Sequence, residues 1–465
     1  MTPELHTNGS QCQFFVVRKK RLCRMTVRPG RNYCGEHQPK PIIEDGKHET
    51  RIPCPNDPKH TCFASKLKKH LSICNARQQE LPVYIKSNVN APVGTGPLKQ
   101  PLSEVPCIQI QKIINKVNLL FNRYLKDKIE ILSEKQIHPV IMKDFLMDGR
   151  TESSLRHLRQ ASRLMYVIED EELIHDNTCY VELGAGKGHL SYFVWQAWCP
   201  AASNNRVLLV ERAALRHKRD NKIRDMLQNK DNINKSQQLT TSDLSDKVNF
   251  DRNHRNDSKK DDDFTENKIQ SCDENEGSFR LRADLADLIL HLVPVVQSRQ
   301  SIVGFAKHLC GVATDYSLRC LSSDETLHKT RGVVIATCCH HRCNPDGYVA
   351  YRHLLDLGIN ESEFNILLGI VSWATCGDGR SREKREQKLL REGRSEDNTV
   401  KREIGTKSLG LTREQQQDIG RRVKALLDWG RVLYLKEYGF NARLAYFIPH
   451  TISLENLCII AKRNY

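Results

Sequence analysis

The chain has 465 residues and a formal net charge of +16, and it carries 17 cysteines. It is too long for one small domain, and no apolar run approaches the roughly 18 residues of a membrane span, which argues against a membrane protein. The basic balance suits a polyanionic partner; with no leader segment read, the cysteines are expected to be reduced and to bind metal where they cluster with histidine.

Residues 1–80 hold fifteen Lys/Arg against seven Asp/Glu. They have too few aliphatic side chains for an unaided core, so a staple such as zinc is expected. Cys12, Cys23, Cys34 and His37 form one set of four donors within 8–40, spaced Cys-x10-Cys-x10-Cys-x2-His. Phe14-Phe15 and the basic run Arg18-Lys19-Lys20-Arg21 lie inside it. Cys54, His60, His70 and Cys74 form a second set within 51–78. There Ser65 to Ser72 reads as a short basic helix that puts His70 and Cys74 on one face, and Cys62 reads as a structural thiol. Each set of thiolate and imidazole donors suits one tetrahedral zinc ion.

Leu81 to Val105, with Pro82, Pro92, Pro97 and Pro101, reads as a linker. A helical segment over 106–160 follows. Ile108 to Ile131 has apolar residues at helical spacing, and Arg156 to Ile168 reads as the helix before a sheet. The rest, 161–465, is expected to be an α/β core. Cys179 to Val181 reads as a strand ending in Glu182, then the turn Gly184-Ala185-Gly186-Lys187-Gly188 and a helix from His189 to Trp198. His189 stands where a dinucleotide fingerprint needs its third glycine, and Gly188 where a phosphate-binding loop needs Ser or Thr. The spacing Glu-x-Gly-x-Gly-x-Gly instead resembles the first motif of S-adenosylmethionine (SAM) methyltransferases. Val207 to Glu211 reads as the next strand, with Glu211 placed to bond ribose hydroxyls. Asp284 stands where such a fold places an acid near the adenine.

Residues 228–277 read as a disordered insert and 378–410 as a solvated charged stretch. Ile302 to Ala306 and Gly332 to Ala336 read as buried strands. Each is followed by a polar cluster, Lys307-His308-Leu309-Cys310-Gly311 and Thr337-Cys338-Cys339-His340-His341-Arg342-Cys343. Carboxyl ends of parallel strands are where open α/β sheets bind ligands. Ile370 to Gly377 is expected nearby. Gln415 to Tyr438 reads as a long helix, and Ala442 to Ile448 and Asn456 to Ala461 as closing strands. His308, Lys307, His340 and His341 are the candidates for a base, with His308 first. A metal site made of Cys338, Cys339, His340, His341 and Cys343 ranks low, because adjacent pairs suit one tetrahedral ion poorly.

The pattern Cys-x-Phe…Lys-Lys-Arg-x-Cys…Tyr-Cys-Gly-Glu-His resembles the CCCH finger of the eukaryotic tRNA 2′-O-ribose methyltransferase family that modifies acceptor-stem position 4. The Cys54/His60/His70/Cys74 set resembles the CHHC finger also found in a minor-spliceosome protein. The segments Val181–Gly188, Lys307–Gly311, Thr337–Cys343 and Ser372–Gly377 resemble that family's core. The resemblance implies a Rossmann-like, SAM-dependent α/β methyltransferase with two small N-terminal zinc fingers. It further implies two zinc ions, cofactor contacts at Glu182, Gly184, Gly186, Gly188, Glu211 and Asp284, and tRNAs such as those for glycine, proline and histidine as substrates. The competing readings are an RNA cytosine-5 methyltransferase with a Cys nucleophile, whose Pro-Cys signature is absent, and an inactive zinc-finger RNA-binding protein. No address signal is read, so cytoplasm and nucleus both stay open.

Overall fold

The computed structural model describes residues 11–16, 21–27, 30–34, 37, 51–74, 76–77, 81–92, 101–200, 203–215, 218–223, 226, 277–374 and 409–463. The expected features at 18–20, 228–276, 375–377 and 378–408 lie outside the described residues. The described residues fall into two units, one ending at Arg77 and one beginning at Leu81.

In the first unit β1 (Phe15–Val16) pairs antiparallel with β2 (Arg21–Leu22), and β3 (Arg51–Cys54) with β4 (Asp57–Phe63). A 3₁₀ turn, Ala64–Lys66, leads into the helix Leu67–Ile73, which buries none of its side chains. Among the described residues of this unit, the buried ones are six cysteines: Cys12, Cys23, Cys34, Cys54, Cys62 and Cys74. Thiols stand where a larger domain would place aliphatic side chains.

The second unit is mixed α/β around one eight-stranded sheet. Its strands are β5 (Glu130–Ile131), β6 (Thr178–Leu183), β7 (Arg206–Val210), β8 (Ser278–Leu281), β9 (Ser301–Leu309), β10 (Thr330–Thr337), β11 (Asn441–Tyr446) and β12 (Leu457–Lys462). Their spatial order is β5-β11-β12-β10-β9-β6-β7-β8. All neighbours run parallel except β12, which is antiparallel to both β10 and β11. The central strands are apolar almost throughout because helices cover both faces. Cys179, Val181 and Leu183 point into one core with Ile113 and Val423, from the helices Cys107–Tyr124 and Arg413–Glu437. Tyr180 points into the other, with Leu164 and Phe193 from Glu152–Asp170 and His189–Trp198.

Two expectations change here. The apolar spacing over Ile108 to Ile131 continues past the helix, which ends at Tyr124; Asp127 turns with φ 61°, and Glu130–Ile131 joins the sheet beside β11. Residues 84–90 do not hang as a tether either. Ile85 bridges Leu288, Lys86 N donates to Asp287 O at 2.8 Å, and Asn90 Nδ2 donates to the carbonyls of Leu285 (2.8 Å) and Leu288 (2.7 Å). Among the described residues, no helix is long and apolar enough to cross a membrane.

Candidate active site and metal-ligand clusters

From β6 the chain adds β7 and β8 on one side, then crosses to the other for β9 and β10. The order therefore reverses beside β6, and ligands bind open α/β sheets outside the carboxyl ends of the strands at such a reversal. The glycine turn lies there. Gly184, Gly186 and Gly188 have φ of 69°, 53° and 74°, values that L side chains rarely adopt. A Cβ on Gly186 would meet nothing within 4 Å, so the turn leaves open space at its middle. A Cβ on Gly188 would lie 2.7 Å from Leu209 and 2.9 Å from Arg280. Arg280 donates to both oxygens of Asp220 (2.8 and 2.9 Å) and to Gly186 O (3.0 Å), so it clamps the turn from behind. Gly188→Ala is expected to destabilise the second unit by about 2 kcal/mol or more. The αL conformation costs a side chain about 1–2 kcal/mol, and the new methyl displaces the Arg280 clamp. Denaturant unfolding of the variant against the wild type checks this.

The acids divide by role. Glu211 follows β7, and its two oxygens accept from Gly186 N (2.9 Å) and Ala213 N (2.8 Å), so it faces the turn. Asp284 accepts from Ala286 N at 3.0 Å and from Arg212 at 3.3 Å. Glu182 is buried and accepts from Ser191 N (2.9 Å) and Ser191 Oγ, so it caps the following helix. Burial pushes its carboxyl up to about 7, against the pull of the Ser191 hydrogen bonds and of Lys307. The folded chain thus keeps a proton that the unfolded chain, at an ordinary value of 4.5, has lost. This contribution falls as pH rises from 4.5 toward about 7, by about 3 kcal/mol in all. Glu182→Gln is expected to flatten that dependence, measured by denaturant unfolding at pH about 5 and about 8.

β9 runs three residues further than expected, so Lys307 and His308 lie in the strand itself. Lys307 Nζ is 3.3 Å from His157 Nδ1, and burial pulls its amine down to about 8 despite the Glu182 carboxylate. His308 Nε2 meets Gln160 Oε1 at 3.2 Å. Gln160 is buried and donates through Nε2 to Ser453 Oγ at 2.8 Å, so its Oε1 is the acceptor. Neutral His308 therefore carries its proton on Nε2 and leaves Nδ1 as acceptor. Burial, with the charges of Lys307 and His157, pushes its imidazole down to about 3.

The cluster after β10 divides into three. His340 is buried, with Nδ1 2.9 Å from Cys338 O and Nε2 2.7 Å from Asp428 Oδ1. Both its ring nitrogens are occupied within the protein, which fixes the loop after β10. Cys343 lies against Arg431 Nη2 at 3.2 Å, and burial pushes its thiol up to about 12. Fully buried Arg431 also bonds Asp315 (2.7 and 3.0 Å), Asp428 (2.8 Å) and Gly311 O (3.2 Å), tying the loops after β9 and β10 to the helix Arg413–Glu437. His341 stays exposed. Cys338 and Cys339 turn toward Cys310. The five-residue metal set is thereby split, and Cys310 joins two of its members. The 3₁₀ turn Val371–Ala374 packs on Arg413–Glu437, where a Cβ on Gly420 would lie 2.3 Å from Ala374 N. His157, Gln160, Asp428 and Arg431 were not singled out from sequence, since the two helices carrying them show mainly their apolar spacing.

In the N-terminal unit both four-donor sets assemble. The donor atoms of Cys12, Cys23, Cys34 and His37 lie within 4.8 Å of one another, as do those of Cys54, His60, His70 and Cys74. In the second set Cys54 Sγ and Cys74 Sγ are 3.6 Å apart, and His60 Nε2 and His70 Nε2 are 3.2 Å apart. Zinc–sulfur and zinc–nitrogen bonds of about 2.3 and 2.0 Å at tetrahedral angles give separations close to these. Asp57 sits 3.6 Å from His60 Nδ1, where an orienting carboxylate is usual. Phe14 stacks on His37 with centroids 3.9 Å apart.

Residues 159–462 match the family model of the TRM13 methyltransferase. The chain belongs to the TRM13 methyltransferase family. Residues 10–38 match the CCCH zinc finger of TRM13 protein, and 51–75 the U11-48K-like CHHC zinc finger. Relatives span nearly the whole chain. The mouse tRNA:m(4)X modification enzyme TRM13 homolog is 32% identical over 97% of this chain and 94% of its own. The human homolog is 30% identical over 98% and 95%. The tRNA:m(4)X modification enzyme TRM13 of Saccharomyces cerevisiae is 26% identical over 97% and 95%. The TRM13 model thus covers the second unit from Arg159, within the helix Glu152–Asp170, to Lys462, including the glycine turn, Lys307 and the thiol cluster.

Proposed function

We propose that this chain is a Rossmann-like, SAM-dependent tRNA methyltransferase that methylates the ribose 2′-hydroxyl of acceptor-stem nucleotide 4. The observation that carries this is the glycine turn with open space at Gly186, faced by Glu211 and set beside Lys307 at the reversal of strand order. The residues fit the cofactor. The turn allows close approach, Glu211 and Asp284 offer acceptors to ribose and adenine, and Glu182 fixes the helix behind. Bound SAM supplies an electrophilic methyl group. The chain's part is to hold the acceptor oxygen in line with it and to exclude water. A ribose hydroxyl is a poor nucleophile, so a group that takes its proton raises the rate.

Among the expected bases, Lys307 fits better than His308. Its amine, lowered to about 8, is partly neutral near physiological pH. His308 is too weak a base at about 3, and its Nε2–H is held by Gln160. Lys307 Nζ would take the 2′-hydroxyl proton as the methyl group moves from the sulfonium to that oxygen, the sulfur keeping the electron pair of the broken S–C bond and leaving as a neutral thioether. His308 and His157 position that amine. The two fingers, each holding zinc, bind the RNA through their Lys and Arg at phosphates. Transfer from labelled SAM to unmodified tRNA for glycine, proline or histidine tests the reading. Nuclease digestion is expected to place the label in an alkali-resistant acceptor-stem dinucleotide; label on a base would overturn it.

A further inference from the structure

Three thiols that belong to neither finger converge at the carboxyl ends of β9 and β10. Leu309 and Thr337 are register partners in these parallel strands, so the residues after them, Cys310 and Cys338, leave the sheet side by side. Their sulfurs are 2.8 Å apart, and Cys339 brings a third, all within 4.8 Å of one another. Cys338 is buried, while Cys310 and Cys339 are half-buried. The neighbouring donors take no part, since His340 is held by Asp428 and Cys343 by Arg431.

We infer that Cys310, Cys338 and Cys339 form a third metal site, for a thiophilic d10 divalent ion such as zinc. Thiolates are soft donors that suit zinc and other thiophilic ions, and although adjacent cysteines seldom serve one tetrahedral ion, here Cys338, Cys339 and the distant Cys310 bring all three sulfurs within 4.8 Å of one another. Two of these sulfurs lie 2.8 Å apart, and those of Cys54 and Cys74 in the second finger 3.6 Å. An ion between them at about 2.3 Å from each sulfur sets the pair about 3.8 Å apart. The opening of about 1 Å falls to Cys310, whose side chain is half-exposed. Three thiolates with a divalent ion leave one net negative charge. Arg342 beside Cys310 offsets it. Three protein ligands leave a fourth position open, as in zinc sites that are not purely structural. The ion would lock together the ends of the two strands that back the cofactor turn, since a Cβ on Gly184 would lie 2.9 Å from Leu309. The assignment stands on donor geometry and does not rest on the methyl-transfer reading.

The test is metal analysis of the full chain, purified in reductant, equilibrated with a micromolar excess of zinc and desalted. Three zinc ions per chain are expected in the wild type and two in both Cys339→Ser and Cys310→Ser. Cadmium exchange is expected to give a thiolate charge-transfer absorbance that falls by about three Cd–S contacts in the Cys339→Ser/Cys310→Ser double variant. Circular dichroism confirms that each variant folds. Two ions per chain in wild type and variants alike would overturn the site. So would peptide mapping that finds a Cys310–Cys338 disulfide in the zinc-equilibrated protein, because that bond removes two of the three donors.

Discussion

Replacing Cys54 with Ser is expected to unfold the second finger and to weaken tRNA binding, while the second unit keeps its SAM affinity. The finger has almost nothing else to hold it. Its helix, Leu67–Ile73, is seven residues long and buries none of its side chains. A helix that short does not persist alone in water. The hairpin of β3 and β4 contributes Cys54 and Cys62 to the interior, and the C-cap of the helix contributes Cys74. Binding of structural zinc in such peptides is worth about 10–16 kcal/mol at neutral pH and is in effect the folding free energy. Loss of one thiolate removes much of that, which a unit of this size cannot replace. The exposed Lys66, Lys68 and Lys69 lie on or beside the helix and lose their common placement when it melts. Each phosphate contact removed lowers the salt slope of RNA binding by about 0.9. Metal analysis should show one zinc fewer per chain, and RNA binding at graded salt should show lower affinity and a shallower slope. A variant that keeps both its zinc and its slope would refute this account.

Much of the site was legible because its signals are local. The helix after the glycine turn spans His189–Trp198, the residues its apolar pattern predicts, and β7 begins one residue before and ends one before the predicted strand. Glycines at positive φ and a carboxylate at a strand end need no distant partner to be recognised. The donor sets at Cys12–His37 and Cys54–Cys74 are similarly local, and their spacing alone brings four ligands within reach. What sequence could not show depends on contacts across the chain. The Asp428 partner of His340 Nε2, 88 residues on, has no local signal. The prolines of 81–105 suggested a tether, but Tyr84 to Asn90 bonds to 285–289, about 200 residues away. Cys310 and Cys338 stand 28 residues apart, and only the register of β9 on β10 joins them. The apolar spacing beyond Tyr124 misled because Leu125 is buried under the helix end, so the pattern outlasts the helix.

Lys307→Met is expected to slow methyl transfer by about 10²–10⁴ near pH 8, the usual worth of a positioned base. The methionine keeps the length and apolar stem of the side chain and removes the amine, so SAM affinity should hold. The pH dependence separates a base from a packing role. Burial lowers the Lys307 amine from 10.5 to about 8. The reactive form is the neutral amine, which grows tenfold per unit as pH rises toward about 8 and then levels. Wild-type kcat/KM should therefore fall with slope one on the acid side of about 8, and Lys307→Met should lose that limb. His308→Ala should slow turnover less and keep the limb, shifted upward or downward as the neighbouring imidazole no longer crowds the amine. The contrast is physical. His308 holds its proton on the nitrogen bonded to Gln160 and stays neutral across this range, so its charge cannot generate a limb near 8. If Lys307→Met kept the wild-type rate and limb, and His308→Ala lost both, the proton would go to His308 Nδ1 and the role of Lys307 would be electrostatic alone.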